Sequence, residues 1–197
     1  MDRTEHYQDA RERILSIGQV LVSGRGFSAL GLSEILAKAE VPKGSFYHYF
    51  QSKEGFGVAL LERYFDAYLA RAATLLNDES VPVTARLLTY FSHWRDVAAG
   101  CECPNICLAV KLAAEVADLS EPMRLALAKG MHGIAAQIAE TIRIAQSKAQ
   151  FPADINAVQL AESLYGMWVG ASLLTKVSRN MTAMDLAYEQ TKQMLRM

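Results

Sequence analysis

Strand signals are almost missing from this 197-residue sequence. No β-branched run alternates with polar residues, and neither Asn-Gly nor Asp-Gly occurs, so a hairpin-built fold is excluded. Long apolar runs are missing too, which leaves no segment able to span a bilayer. The first residues, "MDRTEHYQDARERIL", are charged and lack the apolar core of a signal peptide. A soluble, cytoplasmic protein without a membrane partner is the expectation. An excess of charge of one sign is also absent. The formal net charge is −1, whereas a protein that coats nucleic acid non-specifically is strongly basic, so any DNA contact must be local. Cysteine is scarce and confined to Cys101, Cys103 and Cys107, an odd number in one short segment and so not a disulfide framework. No Ser/His/Asp set, phosphate loop or standard metal-ligand spacing is present. Neither an enzymatic activity nor a cofactor or metal is therefore expected. No repeat or low-complexity tract occurs.

What is present is helical periodicity and enough apolar material, 51% of residues, to form a sizeable core rather than a disordered chain. The first helix is expected over roughly 7–23, with Ile14, Ile17, Val20 and Leu21 on one face, and "SGRGF" stops it through Gly24 and Gly26. A short helix "LSEILAKAE" follows, with Leu32, Ile35 and Leu36 inward. Pro42, comfortable in a first turn, opens another, "PKGSFYHYF". Ser52 is the expected N-cap of a long helix, "KEGFGVALLERYFDAYLARAATLL". Longer helices then cover 83–99, "ICLAVKLAAEVADL", a segment capped by Ser120 with Pro122 in its first turn, "NAVQLAESLYGMWVGASLLTKVSR", and a last one from Thr182. Short helices give way to long ones near Gln51.

Two short helices about three residues apart, the second opened by proline, match a helix-turn-helix. In that motif the second helix enters the major groove by its N-terminal end. Here that end carries Lys43, which suits a phosphate or a guanine edge, Gly44, which permits close backbone approach, and Ser45, a small hydroxyl donor. Tyr47 and His48 follow one turn later and can donate to phosphate oxygens. Phe46, Tyr49 and Phe50 repeat at helical spacing and belong inside. Lys53, with the amide end of the next helix, makes a further phosphate site. A solvated helix tip over an aromatic core would account for the composition alone.

The order of residues goes further. "VPKGSFYHYFQSKE" resembles the DNA-binding signature of the TetR family of repressors, and "GFSALGLSEIL" is similar to that family's second helix. Two residues depart from the family pattern. Gly31 stands where Ser or Thr usually caps the second helix, so one hydroxyl contact is lost while the backbone amides remain. Glu40 stands where glycine is usual, and a non-glycine residue in a left-handed turn costs roughly 1 kcal/mol. Its carboxylate near DNA would sharpen discrimination by repulsion. Over residues 1–55 seven basic residues (Arg3, Arg11, Arg13, Arg25, Lys38, Lys43, Lys53) balance seven acidic ones (Asp2, Glu5, Asp9, Glu12, Glu34, Glu40, Glu54). Weak non-specific binding and a dimer requirement follow.

The second informative stretch is "CECPNICLAVKLAAEVADLSEPMR". Cys107 falls in the first turn of the helix that "PNI" opens, where the dipole favours a thiolate. The residues alone leave three readings open: inert cysteine, a metal site assembled with His93, and a redox or electrophile sensor. Together with "LYGMWVGASLLTKVSR", the stretch resembles a narrower group within the family, the repressors of N-ethylmaleimide reductase. That resemblance implies release from DNA by reactive electrophiles or oxidants at the position of Cys107, with a lysine at the position of Lys176 nearby. Glu115 and Asp118 read as surface or capping charges, and His93 and His132 as bystanders. Tyr165 and Trp168 lie on a helix expected to form the dimer bundle or a pocket wall, where core is the commoner fate of an aromatic. Gly166 and Gly170, four apart, permit close helix approach.

The expectation is thus an all-α homodimer. Residues 1–52 form a three-helix DNA-binding domain for half of a palindromic double-stranded operator, and residues 53–197 form a helical dimerisation and sensor domain for a small electrophile or oxidant. A reversible, non-covalent inducer is the alternative, and a thiol-dependent helical enzyme the rival from another class.

Overall fold

The computed structural model describes the backbone of residues 3–100 and 104–196 and the side chains of residues 10–100 and 108–196. Among these residues the regular structure is α-helix: α1 Arg3–Arg25, α2 Leu32–Ala39, α3 Lys43–Phe50, α4 Lys53–Leu76, α5 Val83–Gly100, α6 Pro104–Val116, α7 Glu121–Ser147, α8 Ala157–Ser178 and α9 Thr182–Met194. The all-α expectation holds. No helix among the described residues is long and apolar enough to cross a membrane.

The ends of the helices have local causes. Gly26, at φ +92, stops α1, and its N–H reaches back to the Val22 carbonyl at 2.8 Å. Ser52 caps α4, its Oγ accepting the Gly55 N–H at 2.9 Å, and Ser120 caps α7 through the Met123 N–H at 3.3 Å. Asn156 takes up two amides at the start of α8, from Val158 at 3.0 Å and Gln159 at 3.1 Å. Pro42 sits just outside α3 in an extended conformation (φ −61°, ψ 146°), so the helix begins at Lys43, one residue later than its sequence suggests. Proline fits either place because neither requires its N–H.

The chain divides into two compact units. One holds α1–α3, α4 as far as Phe65, α6 from Cys107 and α7 as far as Gly130. The other holds α4 from Asp66, α5, α7 from Met131, α8 and α9.

In the first unit Phe46, Phe50 and Phe56 form a mutual cluster, with ring centroids 5.1, 5.7 and 5.3 Å apart. Ile14, Leu15, Leu30, Ile35, Leu60 and Leu61 of the same unit are fully buried. α1 comes so close that a Cβ on Gly18 would lie 2.3 Å from the Phe56 ring. Burying an aromatic side chain of this kind stabilises by about 3 kcal/mol, so this cluster fixes where α3 stands on its support. Tyr49, expected inside with the phenylalanines, is only half-buried.

The second unit is centred on stacked aromatics. Phe91 lies against Trp168 at 5.1 Å, and Trp94 against Trp168 at 5.7 Å. The Trp168 indole N–H donates to Thr191 Oγ1 at 2.9 Å, and Thr191 donates onward to the Ala187 carbonyl at 2.7 Å, which ties α8 to α9. Arg86 is buried and turned onto backbone carbonyls. Its guanidinium donates to the Leu76 carbonyl at 2.9 Å and the Val81 carbonyl at 2.7 Å, closing the end of α4 and the turn after it.

Candidate nucleic-acid interface and sensor segment

α2 and α3 are eight residues each, and three residues join them. The turn is made by Glu40, at φ 53° and ψ 42°, the left-handed conformation expected for a glycine position. It is held by the Glu40 N–H on the Ala37 carbonyl at 3.4 Å and the Val41 N–H on the Leu36 carbonyl at 3.2 Å. Gly31 stands at the N-cap of α2 in an extended conformation and offers no side-chain cap, as its lack of a hydroxyl requires.

On α3 the residues separate by face. Phe46 and Phe50 are buried, while Lys43, Gly44, Tyr47 and His48 are exposed and Ser45 is half-buried. Tyr47 leans edge-on against Phe46, centroids 5.7 Å apart, with 45% of its surface open. A Cβ added to Gly44 would meet nothing within 4 Å. Glycine within a helix costs about 1 kcal/mol relative to alanine, and the protein's own packing does not ask for it here. Lys53 opens α4, half-buried, with its ammonium 3.4 Å from the Ser28 carbonyl and over the Phe27 ring at 5.0 Å. Lys43, Gly44, Ser45, Tyr47 and His48 thus share one short helix, whereas Lys53 and Gly31 flank the segments on either side of it.

Of the cysteine segment, Cys101 and Cys103 lie outside the described residues. Cys107 belongs to α6 by its backbone, and its side chain lies outside the described residues. Lys176 is exposed in the last turn of α8, in the second unit. Tyr165 and Trp168 are core residues of that unit, and the indole of Trp168 is fully buried. The Tyr165 hydroxyl is pushed well above the ordinary tyrosine range, first by burial and then by the nearby Tyr68. Tyr68 itself is pushed up to about 12, mainly by burial, against the Tyr90 hydroxyl 2.6 Å away. Trp94 lies beside Tyr165 and Tyr90, and its buried indole N–H finds no acceptor among the described residues. His93 and His132 are exposed, and no group of three potential metal ligands converges among the described residues.

Glu115, read as a surface or capping charge, has a more particular role. Its carboxylate accepts the backbone N–H groups of Phe27 at 3.0 Å and Ser28 at 2.5 Å. Four residues earlier on α6, the Lys111 ammonium donates to the Ser23 carbonyl at 2.9 Å. Burial pushes the Glu115 carboxyl up, but the hydrogen bonds from Ser28 and Phe27 and the Lys111 charge outweigh it and hold the group below its ordinary range. These partners are 87 or 88 residues apart in sequence, and only the i, i+4 spacing of Lys111 and Glu115 hinted at a shared face.

Two family models match the chain. "Bacterial regulatory proteins, tetR family" covers residues 14–60, and "Tetracyclin repressor-like, C-terminal domain" covers residues 83–191. The HTH-type transcriptional repressor NemR of Escherichia coli K12 is 42% identical over 192 residues, 98% of this chain and 96% of that protein. The transcriptional regulator AcuR of Cereibacter sphaeroides is 34% identical, over 85% of this chain and 77% of its own. The HTH-type transcriptional repressor DhaR of a Mycobacterium species is 31% identical, over 89% and 86%. Among solved structures, the reduced form of E. coli NemR superposes with a TM-score of 0.88 at 41% identity, over 94% of this chain and 96% of that one. These families and relatives are transcriptional regulators rather than enzymes. The exposed basic helix of a helix-turn-helix, and two family models that between them span most of the sequence, establish that the chain belongs to the TetR family of DNA-binding transcriptional regulators.

Proposed function

We propose that the protein is a cytoplasmic homodimeric repressor that binds a palindromic double-stranded operator and lets go when a small electrophile or oxidant modifies Cys107. In this reading residues 1–52 carry the DNA contacts and residues 53–197 carry dimerisation and sensing. Gly44 is the observation that carries the DNA contact. It weakens its own helix, nothing among the described residues fills the space above it, and it lies between Lys43 and Ser45 at the end of α3 that enters the groove. Lys43, Tyr47 and His48 contact phosphate or base edges beside it, and Lys53 and the amides behind Gly31 hold the backbone on either side.

Dimerisation is supported by an apolar face on α8 that its own unit leaves uncovered: Leu174 and Val177 are 60% and 74% exposed, beside Leu173, and Gly166 and Gly170 stand open. An exposed run of this kind is a surface for another chain, and a second copy places two α3 helices one helical turn of DNA, or a multiple of it, apart. Sensing is supported by the 42% identity to NemR and by the position of Cys107 near the start of α6, where the helix dipole favours the thiolate. With a maleimide the thiolate sulfur adds to the carbon–carbon double bond, and the adjacent carbon takes up a proton. Lys176 is, in this reading, the cation that favours the thiolate.

The test is a gel-shift with DNA from upstream of the protein's own gene, before and after stoichiometric N-ethylmaleimide, with Cys107→Ser alongside. Wild type should bind and release while the variant stays bound. Equal release from both removes Cys107 as the sensor.

One observation favours a second reading, a reversible inducer. The buried Trp94 N–H, which finds no acceptor among the described residues and whose ring packs against those of Tyr90 and Tyr165, would suit a small uncharged molecule bearing a hydrogen-bond acceptor. Equal release from wild type and Cys107→Ser would turn attention there.

A further inference from the structure

We propose that Lys111 and Glu115 are positioning residues that clamp the α1–α2 turn to α6, so that the setting of the DNA-binding helices follows the state of the helix that carries Cys107. The inference rests on the reading of Cys107 as the sensor, and deepens it by naming how the signal leaves α6.

The clamp has two jaws of opposite charge. The Lys111 ammonium takes the Ser23 carbonyl, 2.9 Å away in the last turn of α1. A cation suits the negative end of the helix. One turn further along α6, the Glu115 carboxylate takes the two amides just past that end, Phe27 and Ser28. Gly26 lies between the jaws at φ +92, where a Cβ would come within 2.7 Å of the Glu115 carboxylate. A side chain there would have to displace the carboxylate, and the left-handed backbone itself favours glycine. Hydrogen bonds to a charged group contribute more than neutral ones, and both clamp side chains are half-buried. The clamped turn runs straight into Gly31 and α2, on which α3 packs. Lys111 and Glu115 follow Cys107 by one and two turns of the same helix. A shift or rotation of α6 on alkylation thus pulls on both ends of one short turn, and it does so through side chains that touch neither DNA nor electrophile.

The test uses the full chain and N-ethylmaleimide as the probe. Backbone hydrogen exchange across residues 23–30 is measured before and after alkylation, with operator affinity measured in parallel. Exchange at Phe27 and Ser28 should speed up on alkylation of wild type. Glu115→Gln and Lys111→Met, checked by circular dichroism, should take up the adduct at the wild-type rate by mass spectrometry. Their reduced forms should differ from wild type in operator affinity, and the loss on alkylation should shrink by about tenfold, the scale of an ordinary allosteric coupling. Unchanged exchange at Phe27 and Ser28 while the DNA is released overturns the clamp. So does a Glu115→Gln protein with wild-type affinity and wild-type release. If Glu115→Gln fails to fold, Lys111→Met and the exchange measurement on wild type decide. Release of Cys107→Ser by the electrophile is a different failure: it removes the thiol reading, and the clamp is then judged by the affinities of the reduced variants.

Discussion

Gly44 and Glu115 show how single residues in this chain answer to different masters. A glycine that its own protein leaves room to replace is expected to gain stability from a methyl group and lose function by it. Gly44→Ala should raise the midpoint of thermal unfolding slightly, by up to about 1 kcal/mol of stability, while operator affinity falls at least tenfold in a gel-shift. Glu115 answers to the backbone amides it accepts. Its carboxyl is held below the ordinary 4.5, so the stability it contributes is present above that value and is lost as pH falls through the lower, folded-state one. The acid limb of a stability–pH curve, followed by circular dichroism from about pH 6 down to about pH 3, should therefore be flatter in Glu115→Gln than in wild type.

At the scale of the helices, much was legible because the causes are local. Ser52 and Ser120 cap the helices their positions suggest, Glu40 adopts the left-handed turn, and Phe46 and Phe50 bury at helical spacing. The first helix runs longer than its apolar stripe suggests, since charged residues extend a helix without marking a face. What periodicity did not carry is which distant backbone groups a side chain finds. Glu115 meets residues 87 and 88 positions away, and Arg86 looks like any surface arginine until it is seen turned inward on two carbonyls. Arg86 joins α4 to α5, and removing it strands two buried acceptors. Arg86→Met should cost about 2–3 kcal/mol in urea unfolding.

The whole molecule combines a DNA-binding region without net positive charge with a bare apolar face on α8. A region with no net positive charge neutralises few phosphates and has little electrostatic grip on its own, which is why the proposed repressor is a dimer. Val177→Glu, at the most exposed apolar position on that face, should yield monomers in sedimentation with helical content retained and operator binding lost.

The chain holds two tryptophans, and both, Trp94 and Trp168, sit in the aromatic stack of the second unit, 5.7 Å apart. Tryptophan emission is therefore blind to the DNA-binding helices. If those helices melt first on heating, the far-ultraviolet ellipticity should fall while the tryptophan spectrum holds, and the emission should shift to the red only when the stack comes apart. Tryptophan emission then reports the second unit alone while ellipticity reports the helices of both, so the difference between the two curves isolates the first without a dye or a label.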